Sequence, residues 1–122
     1  MDKPHEVTSK EFEIFKESFL FWKEKFGLTD WQVYFAVNDL DSCFAALNAS
    51  HNTRSALVEL TREVRPDLVI AFDPAKSGLH EAAHLLLADF SGLAFDRFVM
   101  SSDLLKEEER IVNRLVTLLK DR

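Results

Sequence analysis

The chain has 122 residues, 47% hydrophobic and 30% charged, which is apolar enough for the core of one compact unit and too apolar for a disordered segment. Lys and Arg number 15 against 21 Asp and Glu, a formal net charge of -6, and no basic run is interleaved with aromatics, so nucleic acid is not the expected partner. Cys43 is the only cysteine, which excludes an internal disulfide and a zinc site built from several thiolates.

In chain order, the opening "MDKPHEVTSKEF" lacks the apolar core of a signal peptide, and no stretch approaches the ~20 apolar residues of a membrane span. A reducing, cytoplasmic setting away from membranes is expected. Thr8 followed by Glu11 is a capping-box pattern, and Phe12, Phe15, Phe19, Trp22 and Phe26 then recur every three or four residues up to Gly27. This predicts an amphipathic helix whose aromatic stripe packs on a sheet, in preference to a partner groove or dimer seam. From Trp31 the period changes to two: in "WQVYFAV", Trp31, Val33, Phe35 and Val37 alternate with Gln32, Tyr34 and Ala36, the pattern of a strand. "CFAALNAS" and "RSALVELT" read as two further strands joined as a hairpin around "HNTR", and "LVIAF" as a fourth. Asp73-Pro74 is an N-cap with proline at the first helical position, so the fourth strand is expected to hand over to a helix from Pro74 to Asp89. "FSGLAFDRFVMSSD" reads as an apolar loop. The last helix is expected from about Asp103, with Glu107 to Glu109 near its start and Lys120 and Arg122 at its end, the charge order a helix dipole favours. The expected class is α+β, with a small, mostly antiparallel sheet of three to four strands between the first helix and the last two.

The predicted helix from Pro74 contains "GLHEAAHLLLADF", in which His80, Glu81 and His84 form His-Glu-x-x-His. Four residues apart on a helix is the same face, with Cβ atoms about 5–6 Å apart, so two imidazoles can reach one metal ion. Glu81, one step round, is placed to take a proton from a zinc-bound water, whose pKa zinc lowers toward about 7. With 4 His and 11 Glu, a shuffled chain would contain the pattern on the order of once in a hundred. A buried histidine pair flanking a carboxylate also leaves that carboxylate uncompensated unless a cation is near.

Two histidines leave a zinc site incomplete. The long form of the motif, with a third histidine, is ruled out because Leu87 stands at its glycine position and Phe90 at its histidine position. A glutamate from the last helix is the alternative. Its apolar face is read as Leu104, Leu105, Ile111, Val112, Leu115, Leu118 and Leu119; Glu108 lies on that face, and Glu107 and Glu109 lie to either side as solvated residues. Glu108 is therefore the expected third ligand, a neighbouring glutamate the alternative.

The aromatic first helix, the small sheet, "LHEAAHLLL" and "EEERIVNRL" together resemble the small zinc metallopeptidases of phage and bacterial genomes, minimal zincins similar in shape to the SprT-like and ImmA/IrrE-like groups. The resemblance spans nearly the whole chain, read as one domain over residues 1–122, and its specific part is the His-Glu-x-x-His core. It implies Zn2+ on His80, His84 and Glu108, Glu81 as general base, and a sheet edge that holds an extended peptide or protein substrate by strand addition. One departure stands out: many zincins place a Tyr or His after the motif to stabilise the oxyanion, and here neither follows His84. Arg97, Tyr34 and His51 are the remaining candidates. The leading expectation is a zinc-dependent peptidase; the alternative is a zinc-stabilised module that binds a partner without cleaving it, and a third reading is a structural protein that binds no metal.

Overall fold

The computed structural model describes residues 3–94 and 100–119, with the side chains of Val116 and Leu119 excepted. The elements are β1 (His5–Glu6), α1 (Ser9–Lys25), β2 (Gln32–Asn38), β3 (Ala45–Ser50), β4 (Ser55–Thr61), β5 (Glu63–Val64), a 3-10 helix (Pro66–Ala71), α2 (Pro74–Ala94) and α3 (Ser101–Leu119), an α+β arrangement. Among the described residues no helix is long and apolar enough to cross a membrane.

Helix α1 starts where the capping box predicts. Thr8 Oγ1 accepts from the Glu11 backbone N–H at 3.0 Å, and Glu11 Oε1 accepts from the Thr8 N–H at 2.9 Å, so two backbone donors left orphaned at the helix start are satisfied. It stops at Phe26, after which Gly27 adopts a φ of 74°, a left-handed conformation that glycine takes without a Cβ clash. The aromatic stripe packs inward: Phe15 and Phe19 are completely buried and meet Phe35 of β2 edge to face, with ring centroids 6.4 and 5.5 Å apart.

The main sheet has the order β2-β4-β3. β3 and β4 form the expected antiparallel hairpin, with Leu47 opposite Val58, while β2 runs parallel to β4, with Phe35 opposite Val58. The sheet is therefore mixed where a mostly antiparallel one was expected, because the hairpin folds back to insert β4 between β2 and β3. Alternate residues Ala56, Val58 and Leu60 of β4 face the core against α1 and α2. β1 and β5 form a separate two-stranded antiparallel ladder.

The expected fourth strand, "LVIAF", is instead mostly the 3-10 helix, with Ile70 fully exposed and only Phe72 extended. Pro66 occupies its first turn and lacks the N–H a central strand would need. Helix α2 then begins as predicted: Asp73 Oδ1 accepts from the N–H groups of Ala75 and Lys76 at 3.1 and 3.2 Å. It continues past Asp89 to Ala94, so the first part of the expected loop is helical, and α3 begins at Ser101, two residues before the expected Asp103.

Candidate functional site

Two neighbours fix the position of α2. Ser18 donates its hydroxyl to the Ala75 carbonyl at 2.6 Å, and Gly78 lies directly against the α1 backbone at Phe15 and Phe19. One turn further, Ala82, Leu85 and Leu86 enter the core while His80 and His84 remain exposed on the other side. Apolar burial on one face thus turns the imidazoles outward into a cleft of about 550 Å3 between α2 and the free edge of β3. His51, at the start of the β3–β4 turn, lines the same cleft.

The Nε2 atoms of His80 and His84 lie 3.2 Å apart, with ring centroids 4.8 Å apart. Two nitrogens at this distance share either a hydrogen or a cation. Imidazole nitrogens bound to one zinc ion at ~2.0–2.1 Å and a tetrahedral angle are about 3.3 Å apart, so the spacing of the pair matches that of two ligands of one zinc ion. Glu81, between them in sequence, is only 4% exposed and has no hydrogen-bond partner among the described residues. Burial pushes its carboxyl above the ordinary carboxylate range, against the pull of His84 and His80. A buried acid with free lone pairs, lining a cleft beside two imidazoles, is suited to accept a proton.

The structure does not bring Glu108 to this pair. Glu108 is exposed, and among the described residues no three His, Cys, Asp or Glu side chains converge as metal ligands. The inward line of α3 runs through Leu104, Glu107, Ile111, Leu115 and Leu118, whereas Leu105 is 64% and Val112 42% exposed. Counting those two outward residues as core shifts the apparent stripe by one position, from Glu107 to Glu108. Glu107, with a side chain only 13% exposed, pairs with Arg110, whose Nε lies 3.0 Å from each of its carboxylate oxygens.

Arg110 leads to a group of charges that sequence reasoning missed. Asp89, five residues after His84, accepts from Arg110 Nη2 at 3.0 Å, from Arg54, and from His51 Nδ1 at 2.8 Å. Arg54 also bonds Asp30 at 3.0 Å and stacks 4.1 Å over the Trp31 ring. Asp89 therefore joins α2 to α3, to the β3–β4 turn and, through Arg54, to the loop before β2. Burial pushes its carboxyl up, but the hydrogen bonds and charge of Arg54, with those of His51, outweigh that and hold it below the usual range. The available signal was a single carboxylate inside "LLLADF", a run otherwise apolar.

Of the other oxyanion candidates, Tyr34 is 57% exposed on β2 and does not line the cleft, and Arg97 lies outside the described residues. A larger groove of about 840 Å3 between α1 and α3, lined by Phe21, Trp22, Lys25, Arg110 and Arg114 among others, has no carboxylate, imidazole or thiol among the described residues that line it. His51, His80, Glu81 and His84 line the smaller cleft instead. No protein-family model matches the chain, and neither does any curated protein or solved structure.

Proposed function

We propose that the chain is a zinc-dependent metallopeptidase of the minimal zincin type, in which His80 and His84 hold the metal and Glu81 is the base. The observation that carries this is the 3.2 Å approach of the two Nε2 atoms in a cleft that also receives a buried, unbonded carboxylate. A bound zinc ion would supply the Lewis acidity that polarises a peptide carbonyl and acidifies the attacking water. Glu81 takes the proton of that water as its oxygen bonds to the carbonyl carbon and the carbonyl π pair moves onto oxygen. The same carboxyl then returns the proton to the amide nitrogen as the C–N bond breaks, which balances the hydrolysis. The edge of β3 away from β4 supports the substrate class, since Ala45, Ala46 and Ala49 line the cleft with small side chains and leave space for an added extended strand.

A second reading, a zinc-holding module that binds a partner without cleaving it, is favoured by one observation in the sequence: no Tyr or His follows His84 to stabilise an oxyanion. Elemental analysis of the purified protein is the first test. About one zinc per chain is expected, lost when either histidine is replaced by alanine. Metal that stays far below one equivalent after zinc is added would remove both readings. Full zinc without cleavage of an unfolded protein such as casein would favour the second.

A further inference from the structure

We propose that His51, oriented by Asp89, forms a specificity subsite that takes a lysine or arginine side chain of the substrate about two residues from the bond that is cut. This role presupposes peptide cleavage in the same cleft. His51 lines that cleft together with His80, Glu81 and His84, and its Nδ1 is taken up by Asp89 Oδ1 at 2.8 Å. Asp89 can only accept when ionised, so Nδ1 carries the hydrogen of this bond, and the tautomer it selects presents a lone pair at Nε2. No described residue bonds that Nε2, and the side chain is 46% exposed, open to a ligand. An acceptor backed by a carboxylate suits a cationic donor.

Distance and space define the subsite. Five residues of helix from His84 to Asp89 span about 7.5 Å, or about two residues of an extended chain at ~3.3 Å each. Among the described residues no three-ligand group forms, so His51 is not brought to the histidine pair as a metal ligand, and its place in the cleft leaves it free for a substrate. Ala88, Ser91 and Gly92 line the same stretch of the cleft, so the facing helix leaves room for a long side chain. The other cations nearby do not oppose one: Arg54 is paired with Asp30 and Asp89, and Arg110 with Glu107 and Asp89.

The test uses the zinc-loaded full chain, with casein digests mapped by mass spectrometry and two synthetic peptides differing only in lysine or norleucine at that position. Enrichment of Lys or Arg two residues from the cut is expected, with about a tenfold higher kcat/KM for the lysine peptide. His51→Leu should erase that ratio at unchanged zinc content, lowering kcat/KM for the lysine peptide about tenfold more than for the norleucine peptide, and His51→Gln, which keeps an acceptor, should restore part of the ratio. Cleavage by the parent without a basic preference, or a preference that survives His51→Leu, overturns this subsite and leaves the peptidase reading intact. Absence of cleavage by the zinc-loaded parent overturns both.

Discussion

Gly78 packs so closely on Phe15 that a Cβ added to the glycine would lie 2.6 Å from the Phe15 carbonyl oxygen. It would also lie 2.9 Å from the Phe19 nitrogen, so the obstacle is backbone and cannot swing aside. Gly78→Ala should therefore destabilise the protein, even though alanine normally gains about 1 kcal/mol over glycine inside a helix. A net loss of about 1–2 kcal/mol is expected, because a clash with backbone puts the cost at the upper end of the ~1–3 kcal/mol of overpacking and the helix propensity of alanine returns about 1 kcal/mol of it. Urea unfolding reads it directly. An alanine variant as stable as the parent would show that α1 and α2 are farther apart than described.

Asp89 should govern stability at acid pH. Its carboxyl is held below its ordinary 3.8, so the unfolded chain binds the proton more tightly than the folded one. The resulting stabilisation is complete above the ordinary value and disappears as the pH falls through the lower, folded one. Asp89→Asn should cost about 1–3 kcal/mol at neutral pH, since Arg54 and Arg110 lose a shared charged acceptor, and should flatten the dependence on pH below about 4. Thermal unfolding between pH 2.5 and 7 checks both effects, and an acid limb as steep as that of the parent would assign the linkage to other carboxylates, such as Glu11 or Asp30, which are also held low.

The three glutamates of α3 should separate by role. Glu107→Gln is expected to cost about 0.5–1 kcal/mol, limited by the 40% exposure of its partner Arg110, while Glu108→Gln and Glu109→Gln should leave stability unchanged. Zinc affinity should be insensitive to all three in the arrangement described. A tenfold or greater loss confined to Glu108→Gln would show that α3 delivers a ligand when metal binds, as the sequence led one to expect.

What could be read in advance was local. The Thr8 capping box, the Asp73 cap, the hairpin and the histidine pair each depend on residues within a few positions of one another, where backbone sterics and hydrogen bonding leave few choices. The parallel pairing of β2 with β4 joins segments about 23 residues apart, and alternation along one strand cannot name its neighbour. "LVIAF" is apolar without a period, and such a run does not distinguish a strand from a helical turn. Glu108 illustrates a third limit. A seven-residue apolar stripe on α3 is wider than the face the helix buries, so its centre could not be fixed to one residue until α2 lay beside it.

Glu81→Gln should separate chemistry from fold. The amide is nearly isosteric with the carboxylate, and Glu81 is assigned to the proton of the attacking water, so both histidines and the zinc should remain in place. Its buried position adds a second expectation. An acid that burial drives above the ordinary range opposes folding when ionised, and the neutral amide removes that cost, so stability at neutral pH should hold or rise slightly. Here the sign is opposite to that of Asp89: a raised carboxyl costs stability as the pH climbs past the unfolded value, so any gain from Gln should vanish below about pH 4, where the acid is neutral in both states. Peptidase activity, by contrast, should fall by about 10² to 10⁴, the usual contribution of a general base. Casein cleavage, zinc content and thermal unfolding of the two proteins, measured side by side, give the answer. Activity that survives at full zinc occupancy would remove Glu81 as the base, and lost zinc would make its carboxylate a metal ligand.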